Sequence, residues 1–353
     1  LLCSEALDKY CSYSGPFKEQ FMSRSLIVLP DDSVQPILSA ITDATKSLRI
    51  KMFIFSDPTL MAAVMDARRR GVHVRVMLNP ARRDGRKEND DSRAALENAG
   101  IEVTASNPAF DLTHEKSMVV DDTLALVQSF NWETANLTDA RDYGIFTSHK
   151  HEVDEIAGCF DADWNRSRFQ TGDHSHLIWC IGNGRQRMGQ FIDEAKHTLW
   201  LQHERFQDPT IIEHLVRAHC RGVKVHVLSR PVHKLKKEKL MEGVSGLRVL
   251  QDIGIKIHKM KHVHLHAKLL FADNARAIIG SINLAPGSFD SRRELAIAVD
   301  DEHVIHRIHK TLHHDWEQSS PLDLSDAALL ADLKEYGSEV TEGLAISGND
   351  SEE

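Results

Sequence analysis

A chain of 353 residues, 41% hydrophobic and 27% charged, has ordinary globular composition, long enough for two domains or one large duplicated one, and is neither disordered nor fibrous. A formal net charge of -9 argues against a general nucleic-acid binder, which shows a basic face, and leaves room only for a local basic groove. No apolar run approaches the roughly 18 residues of a membrane span, so membrane contact is expected to be peripheral and the protein soluble, cytoplasmic in preference to exported.

In chain order, residues 1–21 form an N-terminal extension with no counterpart elsewhere in the sequence, and the chain starts at Leu1 without Met, as a processed or trimmed form would. Next comes SLIVLPDDSVQPILSAITDATKSLRI (25–50), which aligns with HLIWCIGNGRQRMGQFIDEAKHTLWL (176–201) at an offset of 151. The same offset relates Asp57–Thr59 to Asp208–Thr210 and Arg70–Val74 to Arg221–Val225. Past a connecting loop the offset becomes 152, relating THEKSMVVDD (113–122) to LHAKLLFADN (265–274), Asn131 to Asn283, Asp142 to Glu294, and the Asp163–Trp164 pair to Asp315–Trp316. A one-residue drift over such distances marks an internal duplication.

Each copy alternates strand and helix. LIVLP and LRIKMFIF are strand-sized apolar runs, DPTLMAAVMDARRRG has helical spacing closed by Gly71, and VHVRVML alternates; the second copy repeats the order with LWLQHERF, PTIIEHLVRAHCRG and VKVHVLS. This predicts an α/β fold of two similar lobes, residues 22–170 and 171–320, each a mixed β-sheet flanked by helices. Residues 321–353 read as a short amphipathic helix followed by an acidic tail. Cys159, Cys180 and Cys220 sit in apolar patterns and are expected as buried free thiols.

The repeated polar positions carry the chemistry. His114 and Lys116, like His266 and Lys268, are two apart on strand-like segments, so each pair should project into one space. Asp121 and Asp273, five residues beyond the lysines, fall on the other face or in the turn and are read as structural. Ser129 and Asn131, and Ser281 and Asn283, again share a face; Asp142 and Glu294 each follow their histidine by 28 residues and can fix an imidazole tautomer. Phosphodiester cleavage needs this inventory: two lysines and two amides to neutralise the non-bridging oxygens, one neutral histidine to attack phosphorus, and one protonated histidine to serve the leaving alkoxide. The lysines carry the charge a metal would otherwise supply, so neither a metal nor a cofactor is called for.

HxKxxxxD followed by GSxN and an acidic residue, in two copies in register, resembles the phospholipase D superfamily, which includes phospholipases D, cardiolipin and phosphatidylserine synthases and some nucleases. The resemblance covers residues 25–316. It implies two α/β lobes with one active site at their pseudo-twofold interface, a phosphohistidine mechanism, His114 as nucleophile and His266 as general acid. Two positions depart from the pattern: Gln128 stands where the second copy has Gly280, and could narrow the site or add a phosphate donor; Asp142 is shorter than Glu294, and could hold its histidine less tightly. Ser129, Ser281, Gln128 and Trp132 are candidate substrate contacts.

KIHKMKHVHLH (256–266) reads as a basic rim leading anionic substrate to His266 rather than as a metal site, although His262, His264 and His266 would share a strand face. ARRDGRK (81–87) and HKLKKEK (233–239) occupy equivalent places after a strand and are candidates for headgroup contact. The leading expectation is a phosphatidyl-transferring or phospholipid-hydrolysing enzyme, with a single chain sufficient for a complete site. The alternatives are a metal-independent nuclease and a non-catalytic phosphate- or lipid-binding protein.

Overall fold

The computed structural model describes residues 23–81, 85, 87–172, 176–231 and 240–331. The extension before residue 23, the tail after residue 331, and most of the loops at 81–87 and 233–239 lie outside the described residues.

The first lobe contains β1 (Arg24–Leu29), α1 (Gln35–Thr42), β2 (Ser47–Met52), α2 (Pro58–Arg69), β3 (His73–Leu78), α3 (Asp90–Asn98), β4 (Glu102–Ala105), β5 (Leu112–Thr113), β6 (Ser117–Val120), β7 (Leu124–Gln128), α4 (Thr134–Thr138), β8 (Ala140–Thr147) and α5 (Lys150–Trp164). The second repeats the plan with β9 (Leu177–Cys180), α6 (Gly184–Asp193), β10 (Thr198–His203), α7 (Pro209–Cys220), β11 (Lys224–Ser229), α8 (Leu240–Asp252), β12 (Lys256–Lys259), β13 (His264–Leu265), β14 (Lys268–Ala272), β15 (Arg276–Gly280), α9 (Pro286–Asp290), β16 (Arg292–Val299), α10 (Glu302–Glu317) and β17 (Ser320–Pro321).

Both sheets are mixed. Strands β2, β3 and β4 are parallel, and β2, β6, β7, β8 and β1 continue antiparallel; β10–β11–β12 and β10–β14–β15–β16–β9 match them. The repeated Asp-Pro-Thr starts the equivalent helices α2 and α7. Asp57 accepts from the Thr59 and Leu60 N–H groups and Asp208 from that of Ile211, and the following proline needs no partner at N1. Gly71 and Gly222, at φ 93° and 91°, end them in a conformation that costs other residues steric strain.

One apolar cluster packs α1 and α2 on the outer face of the first sheet, and a second packs α6, α7 and α8 on the outer face of the second. A third lies between the sheets, joining inner residues such as Val127, Ile145, Leu269 and Ile297 with Val153 and Ile156 of α5 and Val304 and Ile308 of α10. The lobes therefore share a core. The second lobe also continues past residue 320: β17 pairs with β12, and Leu322, Leu324 and Leu329 are buried in its core. Cys159 and Cys180 are buried, but Cys220 is exposed, because it is the last residue of α7 on the side away from the sheet.

Candidate active site

Each histidine-bearing segment leaves its own sheet and pairs with the other lobe. β5 runs parallel to β16, with Leu112 and Thr113 opposite Arg292 and Arg293; β13 runs parallel to β8, with His264 and Leu265 opposite Ala140 and Arg141. The Arg293 carbonyl accepts from the His114 and Glu115 N–H groups at 2.9 and 3.0 Å, and the Arg141 carbonyl from His266 and Ala267 at 3.2 and 3.0 Å.

This exchange crosses the carboxylates. His114 Nδ1 lies 2.8 Å from Glu294 Oε2, and His266 Nδ1 lies 2.9 Å from Asp142 Oδ2. The expectation that Asp142 serves its own repeat and holds its histidine less tightly is corrected on both counts. It serves His266, at a distance within 0.1 Å of its counterpart.

Residues flanking the carboxylates lock the crossing in place. Arg141 forms a two-pronged pair with Asp315, at 2.9 Å for both bonds, and Arg293 forms the equivalent pair with Asp163 at 3.0 and 2.9 Å. The two clasps differ behind this. Asp163 also meets buried Lys51 at 2.8 Å, and Lys51 meets Glu115 at 2.9 Å; Asp315 meets only the neutral amide of Gln202 at 2.7 Å, which in turn accepts from the Tyr143 hydroxyl at 2.6 Å. Burial works to raise the Asp163 carboxyl, but Lys51 and Arg293 hold it at about 2; burial pushes Asp315 above the usual carboxylate range, with Arg141 opposing. Glu115, Cys159 and Asp163 have the spacing of a metal cluster, but the Lys51 ammonium already supplies the cation there.

The site is asymmetric one position before the catalytic rim. Phe53 ends the β2 run, and Glu204 ends the equivalent β10 run. The Phe53 ring packs edge-on against His114, centroids 4.9 Å apart, with the Lys116 ammonium 5.1 Å from its centre. Glu204 instead binds Lys268 at 3.0 Å through one oxygen and Arg230 at 2.8 Å through the other. Burial first, and then Lys116 and Lys268, push His114 down to about 3 against the pull of Glu294, so its imidazole is neutral, with Nδ1–H donated to Glu294 and Nε2 carrying a lone pair. Burial, reinforced by Lys268, pushes Lys116 down to about 7. Glu204 is held well below the carboxylate range: burial opposes this, but Lys268, His266 and Arg230 outweigh it. His203, next to Glu204, is fully buried with neither ring nitrogen paired, and burial and Lys268 push it to about 3.

Lys116 is buried and donates to the His114 carbonyl at 2.7 Å; the Lys268 ammonium lies 3.3 Å from His266 Nε2. The Lys268 ammonium of one repeat acts on Lys116 of the other, lowering it across the lobe interface. Asn131 and Asn283 are buried, and each amide oxygen lacks a partner within the protein.

The remaining candidates serve the scaffold. Ser129 and Ser281, expected as substrate contacts, are fully buried. The Ser129 hydroxyl binds Asp142 at 2.5 Å and the Tyr143 N–H at 2.9 Å, and that of Ser281 accepts from the Leu295 N–H at 3.1 Å and supports Glu294. Trp132 does not line the site. It follows Asn131 on extended backbone, so its ring turns to the opposite side and packs edge-on with Phe55, centroids 4.9 Å apart, in the outer core. Gln128 is fully buried against Met52 and donates nothing to the site. It faces Gly144, whereas Gly280 faces Ala296, so bulk has changed sides of the strand pair and the pocket is not narrowed. Asp121 and Asp273 open two-residue hairpin turns at φ 53° and 55°. Asp121 accepts from the N–H groups of Thr45, Lys46 and Ser47, and Asp273 from those of Lys196, His197 and Thr198, tying each hairpin to the start of the central strand. His262 and His264 are exposed and form no metal-ligand group with His266 among the described residues.

Sequence reasoning missed Arg141, Arg293, Asp163, Asp315, Phe53 and Glu204 as parts of this site. The arginines were visible as an identical residue at offset 152 before each carboxylate, and Glu204 as a charge interrupting an apolar strand.

A family model described as "Cardiolipin synthase, PLD-like domain" matches the chain twice, over residues 37–164 and 188–316. "Cardiolipin synthase 1" of Bacillus anthracis is 21% identical over 360 residues, covering 87% of this chain and 69% of its own length. Among solved structures, a phosphatidylserine synthase from Haemophilus influenzae Rd KW20 superposes with a TM-score of 0.70 at 11% identity, covering 92% of this chain and 95% of that one. A polyphosphate kinase from Porphyromonas gingivalis superposes with a TM-score of 0.66 at 15% identity, and the chain spans about half of it, 48%. Among the described residues, no helix is long and apolar enough to cross a membrane.

Proposed function

The chain belongs to the family of phospholipase D-like domains of the cardiolipin synthase type, and on that premise we propose that it is a phosphatidyltransferase acting by double displacement through a phosphohistidine on His114. The observation that carries this reading is the unlike setting of the two histidines. His114 is neutral, packed on Phe53 and oriented by Glu294, with Nε2 free to attack. His266 is set differently: its Nδ1 lies 2.9 Å from Asp142 Oδ2, and its Nε2 lies 3.3 Å from the Lys268 ammonium, which Glu204 engages at 3.0 Å.

His114 Nε2 forms a bond to phosphorus as the P–O bond to the leaving alcohol breaks, and His266 gives its proton to that oxygen. Lys116, Lys268, Asn131 and Asn283 neutralise the non-bridging oxygens. An acceptor alcohol or water then gives its proton to His266 and attacks phosphorus, breaking the P–N bond. The protein's own cations supply the charge stabilisation, so the reaction needs no metal.

The test is to incubate the protein with phosphatidylglycerol vesicles in EDTA and quench with alkali. Headgroup release or cardiolipin formation, with an alkali-stable phosphoryl adduct on the peptide containing His114, is the expected result. Turnover that persists in the double variant His114→Ala/His266→Ala would overturn it. Cleavage of single-stranded DNA with inert vesicles would move the same mechanism to nucleic acid.

A further inference from the structure

The lobes carry cavities at equivalent places in the fold but of unlike chemistry. Each sits beside the proline that follows the second parallel strand, Pro80 after β3 and Pro231 after β11. The strand registers match: Leu78 lies opposite Ala105, and Ser229 opposite Lys259. Among the described residues, the first-lobe cavity, about 250 Å³, is lined by neutral groups such as Asn79, Ser106, Asn107 and Phe110, with one acid, Asp111, and one base, Arg166, whose guanidinium is bonded to the Asp163 and Ala105 carbonyls. The second-lobe cavity, about 380 Å³, is lined by Lys259, Lys261, His262 and His264, with no acid among the described residues. Asp323, the carboxylate that senses Lys259, is fully exposed and takes the Ser325 N–H at 2.9 Å.

This basic cavity connects to the catalytic centre twice. β13, which ends at Leu265, leads directly into His266. Arg230, which precedes Pro231, reaches Glu204 at 2.8 Å, Glu204 reaches Lys268 at 3.0 Å, and Lys268 lies 3.3 Å from His266 Nε2. The cavity is thus on the side of the general acid, where the leaving alcohol departs and the acceptor alcohol enters. Concave walls lined by one sign of charge concentrate the opposite charge far more than the same groups on open surface.

We infer that this cavity binds a second anionic group, of the phosphomonoester type, on the alcohol that His266 protonates or deprotonates. The enzyme would then select a phosphorylated alcohol over a neutral one. This rests on the assignment of His266 to the alcohol side.

The experiment compares soluble short-chain phosphatidylglycerol phosphate with short-chain phosphatidylglycerol, which share the scissile bond and differ by one phosphate. The phosphorylated substrate should show kcat/KM at least ~10-fold higher at low ionic strength, falling as salt rises. In the variant Lys259→Ala/Lys261→Ala/His264→Ala, with an unchanged Tm, the ratio should fall to about one. Equal turnover of both substrates by the native protein, or a ratio unaffected by the triple substitution, would overturn the inference and leave the proposed chemistry standing. Turnover of neither would overturn the proposed chemistry, and the cavity is then judged by calorimetry with glycerol 3-phosphate. Binding that weakens at least ~10-fold in the triple variant supports the cavity, and binding that is absent or unchanged sinks it.

Discussion

The two lobes use the same backbone and the same crossed clasp, but surround their His–Lys pairs differently. An aromatic ring stands beside His114 and Lys116, and a carboxylate linked to Arg230 stands beside Lys268. Behind the site the polarity reverses: the clasp that holds the His114 side contains a buried lysine, and the one that holds the His266 side contains a neutral amide. On the proposed mechanism, a single residue at the end of a strand, Phe53 against Glu204, distinguishes the nucleophile's surroundings from the acid's without disturbing the symmetric frame that aims the histidines.

The strongest way to break this comparison is through the leaving group. His114→Asn should cost on the order of 10⁴-fold or more with every substrate, because the proposed mechanism then has no nucleophile. His266→Asn should cost about 10²–10⁴-fold with phosphatidylglycerol, yet little with bis(p-nitrophenyl) phosphate, whose leaving group needs no proton. Equal losses for the two variants on the activated ester would remove the division of labour.

Next in size is stability. Arg141→Met leaves Asp315 buried with no buried cation and should cost about 3–5 kcal/mol in urea denaturation. Arg293→Met should cost clearly less, since Asp163 retains Lys51. Equal costs would show that Lys51 does not compensate.

A smaller effect is read from pH. In the proposed mechanism Lys116 holds phosphate as a cation, and burial places its transition at about 7. Raising pH through that value removes the charge, so kcat/KM of the free enzyme should fall above about 7. Phe53→Glu copies the second lobe into the first and should move that limb upward by about 1 unit or more, because a carboxylate beside an ammonium favours its charged form. An unmoved limb would assign the titration to another group.

The smallest effect tests the symmetric frame. Asp121→Asn and Asp273→Asn each weaken one hairpin anchor and should lower Tm by a similar few degrees, about 2–4 °C, without altering the kcat/KM limb. A large difference between the two would mean that the frame itself is asymmetric.

The duplication, the strand and helix order, and the shared direction of each histidine and its lysine were legible in the sequence, because equal spacing in two copies constrains the same backbone twice; a single site between the lobes was what the family resemblance implied. The crossing was not. Spacing along the chain ties Asp142 to His114, whereas the exchange of β5 and β13 between the sheets hands each carboxylate to the other repeat. Ser129, Ser281 and Trp132 were misplaced for a related reason. A polar or aromatic residue next to a site residue can face it or turn away, and local pattern does not say which; here the serines brace the carboxylates and Trp132 fills the outer core. Glu204 stood out as a charge in an apolar strand, but its role was hidden because its partners, Lys268 and Arg230, come from separate strands.

The strand exchange also determines what either half could do alone. A fragment ending between α5 and β9 would hold His114 without Glu294 and Asp142 without His266, and its Arg141 would have no Asp315. Neither half is a weaker version of the whole; each carries the complement of the other's missing parts. The linker joining them sets the effective concentration at which those complements meet. Severed halves, expressed together, would recover function only as a bound pair, with an activity that rises with their concentration.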